Sequence, residues 1–287
     1  MSNKLPLTVD DTGRDRLAAM FAHARTENRA ALLPYLTAGL PTVAESVELF
    51  RAMADAGADG FEVGIPYADP LLDGPVIMAA GERALAAGVT VDVSLDIVSR
   101  IVGETGKPVL VMTYVNPVLR LGVDVFFDRV AAAGGAGVIV ADLPVDESQP
   151  FLSAAAATGL GLVLFAAPTT DERRLEAVAA ADPAFVYAVA EIGVTGEREA
   201  ASVNTESLAS RIRERSQAPI VFGVGISTPD HVARAAAVGD GVIVGTAVVR
   251  RVLEAPSPEE ARGVLARFVS DLAAAVQRPV SPSAPQR

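Results

Sequence analysis

The chain has 287 residues, a formal net charge of −11 and no cysteine. That length suits one α/β domain, and the acidity argues against nucleic acid or an anionic membrane surface as partner. Missing thiols exclude disulfides, thiolate metal sites and cysteine nucleophiles, and no apolar run approaches the roughly 18 residues needed to span a bilayer.

Residues 1–14 read as a flexible lead-in without a signal-peptide pattern, followed by a helix near Asp15–Thr26. One pattern then recurs: an Ala-rich helix, a small-residue turn and a short β-branched strand. It appears as Met53-Ala-Asp-Ala-Gly-Ala-Asp-Gly-Phe-Glu-Val-Gly64 and again as Val130-Ala-Ala-Ala-Gly-Gly-Ala-Gly-Val-Ile-Val-Ala-Asp142. Two further copies begin at Ala155 and Ala235. Predicted strands cover 31–37, 60–64, 108–113, 137–141, 161–165, 185–190, 219–222 and 241–244, with helices between them. Strands that lack polar alternation are covered on both faces, which implies a parallel sheet. Eight β/α units predict a single (β/α)8 TIM barrel over residues 15–278, with an extra N-terminal helix and no internal boundary. An open doubly wound sheet is the alternative. Residues 279–287, Pro-Val-Ser-Pro-Ser-Ala-Pro-Gln-Arg, read as a disordered tail.

The second strand breaks the apolar rule. Glu62 sits between Phe61 and Val63, and a charge inside such a strand is costly unless it is paired or used. No Lys or Arg lies near it in sequence, although a buried salt bridge remains the bland reading. The strand runs into a Pro- and Gly-punctuated loop bearing Asp69 and Asp73. A fixed acid on a strand end and a second one on a mobile loop is how a barrel builds acid–base chemistry. Both aspartates also suit ordinary turns.

Gly also clusters where late strands end, as Gly193-Val-Thr-Gly196, Gly223-Val-Gly-Ile-Ser-Thr228 and Gly245-Thr-Ala-Val248. In the last two, a strand feeds a Gly turn and then a helix start, an arrangement of backbone N–H groups suited to an anion. Each glycine alone would merely permit a turn. A Schiff-base mechanism needs a lysine in the barrel mouth, but the chain has only Lys4, in the tail, and Lys107, before the third strand. A zinc site needs several imidazoles, and His23 and His231 are the only two. Acid–base chemistry without a metal or a cofactor remains.

The run Glu62-Val-Gly-Ile-Pro-Tyr-Ala-Asp-Pro-Leu-Leu-Asp-Gly-Pro75 closely resembles the signature of the tryptophan synthase alpha chain family, in register from about Ala31 to about Val252. The resemblance implies retro-aldol cleavage of indole-3-glycerol phosphate to indole and D-glyceraldehyde 3-phosphate, in the cytoplasm, as a step of tryptophan biosynthesis. It implies Glu62 as acid/base and Asp73 as acceptor of the indole N–H. Substrate contacts fall by the same match on Tyr35, Thr37, Tyr114, Ala141, Tyr187, Thr195 and Val224, and phosphate contacts on Gly196, Gly225, Gly245 and Thr246. Asp142 ends the fourth strand beside Ala141. Thr195 would close onto Asp73 and shut out water.

Pro66, Asp69, Pro70 and Asn116 match positions that face a pyridoxal-phosphate beta chain in an alpha2beta2-type assembly. Departures from the family pattern are Ala68 for a common serine, Leu40 for a frequent aspartate, and Ala190-Glu191-Ile192 ahead of the sixth-strand loop. They bear on partner coupling more than on chemistry. Three other readings stay open: a free-standing lyase that releases indole, a non-catalytic allosteric barrel, and a sugar-phosphate isomerase.

Overall fold

The computed structural model describes residues 11–189 and 198–278. In chain order its elements begin with α1 (Gly13–Thr26), β1 (Ala31–Thr37), α2 (Val43–Asp55), β2 (Phe61–Gly64), α3 (Pro75–Ala86) and α4 (Val91–Thr105). They continue with β3 (Val109–Thr113), α5 (Val115–Leu121), α6 (Val123–Ala132), β4 (Gly137–Val140), α7 (Gln149–Thr158), β5 (Gly161–Ala166) and α8 (Glu172–Ala180). The last are β6 (Val186–Ala188), α9 (Arg198–Arg213), β7 (Ile220–Phe222), α10 (Pro229–Val238), β8 (Gly241–Val244), α11 (Thr246–Glu254) and α12 (Pro258–Ala275). All strands pair in parallel, and β8 returns to β1, so the sheet closes into a barrel of eight. The open-sheet alternative is thereby excluded. Each predicted strand is present, with ends shifted by a residue or two where local periodicity is weakest.

Burial explains why the strands lack polar alternation. Every residue of β1, β2, β4 and β8 is buried, because the helices cover one face and the barrel interior covers the other. Phe61 points out of the barrel and meets Phe50 of α2 edge-on at 5.1 Å between ring centroids. The expected helix–turn–strand repeat also holds: α2, α6, α7 and α10 each end near a glycine and feed the next strand.

Helix α1 starts at Gly13, two residues before the expected Asp15, because Thr12 and Asp15 form a reciprocal capping box. It closes the N-terminal end of the barrel. Leu17, Met20 and Phe21 are buried there, and Arg16 donates to the carbonyls of Gly134 and Gly135 in the turn before β4. At the same end Arg29 grips Asp59 through two hydrogen bonds of 2.6 and 2.8 Å, and Asp59 also accepts the Leu32 N–H at 2.8 Å. This buried pair ties the entrances of β1 and β2 together. No sequence pattern pointed to it.

Candidate active site

Side chains alternate in direction along a strand. Since Phe61 and Val63 face the helices, Glu62 must face the barrel interior. The same alternation turns Tyr35 and Thr37 of β1 inward, with their hydroxyls 3.2 Å apart. Tyr35 is the register partner of Glu62 across β1 and β2. Further round the barrel, Tyr187 of β6 stacks on Phe165 of β5 at 5.0 Å. Gly223 leaves space for the Tyr187 ring, because a Cβ there would collide with its hydroxyl. Gly64 does the same for Tyr35.

Tyr35, Glu62, Phe165, Tyr187 and Gly223 line one cavity of about 420 Å³ at the C-terminal mouth of the strands. Glu62 and Asp73 both open into it, as do Tyr35, Ala141 and Tyr187. So do Val224, Gly225, Gly245 and Thr246. The two acids and the glycine turns after β7 and β8 therefore share one opening. Such size and lining suit a small organic ligand.

Glu62 is 4% exposed, and its Oε2 has no hydrogen-bond partner. The salt-bridge reading fails on that point. Burial, and then the nearby Asp73 charge, push its pKa up to about 8. At neutral pH it therefore keeps its proton and can deliver it. Asp73 is half-buried on the β2–α3 loop. Its backbone N–H closes a turn onto the Pro70 carbonyl at 3.0 Å. Burial raises its pKa, and a hydrogen bond from Tyr114 opposes the rise. Buried Tyr35 and Tyr187 keep their phenol protons for the same reason, their pKa values being raised by burial.

Some expected residues lie elsewhere. Thr37 sits beneath the cavity on the Tyr35 hydroxyl, and Tyr114 stands behind the β2–α3 loop. Asp142 accepts the Val115 N–H at 2.7 Å and braces the loop after β3. Thr195 and Gly196, with Ala190-Glu191-Ile192, fall outside the described residues. Of the residues matched to a partner face, Asp69 and Asn116 are exposed, Pro70 is half-buried and Pro66 is buried. Lys107 precedes β3 at the opposite end, and neither histidine lines the cavity.

After β7 the Gly223–Thr228 turn leads into a helix, as the sequence suggests. α10 begins only at Pro229, and its N-terminus is capped by the Thr228 side chain on His231 N–H. α11, by contrast, starts directly at Thr246 and carries no side-chain cap. Its first N–H groups lack intrahelical acceptors and stand at the cavity edge. Sequence reasoning also missed the apolar wall formed by Met112, Ile139, Phe165 and Ile243. Inward positions at the C-terminal ends of barrel strands were the available signal.

Fold and cavity together define the class: a (β/α)8-barrel enzyme with an acidic pocket at the C-terminal mouth of its strands. Residues 21–277 match the family described as Tryptophan synthase alpha chain. The alpha chain of Thermobifida fusca is 43% identical over 264 residues, spanning 91% of this chain and 97% of that one. That of Streptomyces coelicolor is also 43% identical, over 92% and 96% of the two chains. Among solved structures, Mycobacterium tuberculosis tryptophan synthase superposes with a TM-score of 0.82 at 40% identity, covering 92% of this chain and 99% of that one. The alpha subunit from Legionella pneumophila superposes with a TM-score of 0.83 at 29% identity, covering 91% and 98%. The chain belongs to the tryptophan synthase alpha chain family, and its reaction class is that of a lyase.

Proposed function

We propose that the chain cleaves indole-3-glycerol phosphate to indole and D-glyceraldehyde 3-phosphate, with Glu62 and Asp73 as its catalytic residues. The observation that carries this reading is an unpartnered, proton-retaining Glu62 opening into the same cavity as Asp73. Protonated Glu62 gives its proton to indole C3, and the ring nitrogen takes up the positive charge. Asp73 accepts the indole N–H and disperses that charge. Glu62, now a carboxylate, takes the proton from the side-chain hydroxyl. The electrons of the bond between C3 and the side chain return to the ring nitrogen as the aldehyde forms. Glu62 ends the cycle protonated.

Each acid–base contribution falls in the usual range of about 10²–10⁴-fold. Gly225, Gly245 and Thr246 hold the phosphate through backbone N–H groups, which suits a chain of strong net negative charge. Tyr35, Ala141, Tyr187 and Val224 surround the indole. The family match adds Thr195 to the substrate contacts and Gly196 to the phosphate contacts. The reading extends to a cytoplasmic alpha2beta2-type assembly, with Pro66, Asp69, Pro70 and Asn116 toward the beta chain. Exposed Leu71, 81% accessible, and Leu119, 57% accessible, supply apolar surface beside those residues.

Among the described residues no helix is long and apolar enough to cross a membrane. Indole release from indole-3-glycerol phosphate, measured with and without a beta chain, tests the proposal. Strong activation by the beta chain supports the assembly. Turnover near ~10 s⁻¹ by the lone chain favours a free-standing lyase. No indole under either condition overturns the reading.

A further inference from the structure

Tyr114 follows β3, is 3% exposed, and carries its hydroxyl to the β2–α3 loop. Its Oη accepts the Leu72 N–H at 3.2 Å, and the hydroxyl lies close enough to the next residue, Asp73, to lower the pKa of that carboxylate. Its ring packs on Tyr67 at 5.4 Å between centroids, and the Tyr67 hydroxyl accepts from Asn116 Nδ2 at 3.1 Å. The neighbouring Val115 N–H is held by Asp142. The phenol thus hangs from β3 and from two braced loops, and it reaches across to two consecutive residues of the β2–α3 loop. Leu72 is 63% exposed, so no described residue covers it from outside.

We infer that Tyr114 is a positioning residue that fixes Asp73 over the cavity through its hydroxyl, and does so before any partner binds. This rests on the proposed cleavage for its kinetic consequences, but its structural consequence stands apart. A phenol that accepts from the backbone is oriented to donate to the side chain beside it. The bond to the Leu72 N–H sets the loop position and leaves the phenol proton for the adjoining carboxylate. Without the hydroxyl Asp73 would keep its burial but lose the neighbour that offsets it.

The charged and titratable groups around this contact are Glu62 from β2, Tyr35 from β1, Tyr114 itself and Asp142 after β4. None of them is a cation. Loss of the Tyr114 donor therefore raises the pH at which Asp73 ionises, because the remaining neighbours all disfavour its charge.

The test is Tyr114→Phe in the full chain, which keeps the ring and removes the hydroxyl. Cleavage falls about 10- to 100-fold in kcat/KM, the range spanned by a hydrogen bond to a charged group. The acid limb of the pH profile moves to higher pH. In an Asp73→Asn background the same change adds less than about twofold, since a residue acting through Asp73 has nothing left to position. Amide exchange at Leu72 quickens, and a carbon-13 titration of Asp73 shifts upward. These last two readouts need no turnover, so a chain that fails to cleave the substrate sinks the proposed function and still tests Tyr114. Unchanged Leu72 exchange, an unmoved Asp73 titration, or an undiminished effect in the Asp73→Asn background overturns the inference.

Discussion

Glu62→Gln separates the catalytic from the structural consequences of one buried acid. Gln matches the shape of the protonated carboxyl and cannot titrate. In the wild type the Glu62 pKa rises on folding from 4.5 to about 8. Below the lower value both folded and unfolded chains hold the proton, and Glu62 leaves stability untouched. Between the two values the folded chain keeps a proton that the unfolded chain has released, so stability falls as pH rises. Above the upper value the penalty is complete. Integrated from pH 5 to pH 8 with the values 4.5 and about 8, the wild type loses about 3 kcal/mol through this group. For a domain of this size that is a fall of about 6 °C in Tm.

Glu62→Gln removes the penalty. The variant should melt higher than the wild type at pH 8, match it near pH 5, and lose indole release by at least about 10²-fold. Calorimetric melting of both proteins across that pH range, paired with an indole-release assay, provides the check. The other titrating groups cancel in the difference between the two curves. Parallel curves with no pH-dependent gap would refute the buried, proton-retaining Glu62 on which the mechanism depends. Full activity in the variant would refute its role as acid/base.

Asp73→Asn should cut kcat about 10²–10⁴-fold with little change in melting temperature, because Asn can still accept a hydrogen bond from Tyr114; steady-state kinetics decides. Gly223→Ala should push the Tyr187 ring off Phe165, costing about 1–3 kcal/mol and most of the activity. Denaturant melts alongside the release assay would show both losses, and a wild-type result in either would contradict the close approach. Arg29→Ala should destabilise the fold by about 3–5 kcal/mol, since it leaves Asp59 buried without its guanidinium. Its pocket lies at the other end of the barrel, so the surviving folded protein should keep its KM.

Much of this architecture was legible in residue order. Apolar strands without alternation required cover on both faces, and the regular helix–Gly–strand spacing made eight units. Glu62 stood out as the one charge within such a strand, and Asp73 followed it at the start of a helix. The glycine turns after β7 and β8 were visible too, as was the helix start that follows each. Thr228 caps α10 with its own hydroxyl, so of these two helices it is α11 whose uncapped N-terminus meets the cavity. Spacing alone does not separate those two cases.

Other features depend on neighbours that the chain order keeps apart. Arg29 and Asp59 are 30 residues distant in sequence and meet only because β1 and β2 start side by side. Tyr114 reaches Leu72 across 42 residues, and Gly223 makes room for Tyr187 across the β6–β7 seam. Residue order determined which segments form strands and helices, because burial periodicity is a local property. Closure of the barrel decided which inward side chains share the mouth, because strand register and pleat together set every contact between residues far apart along the chain.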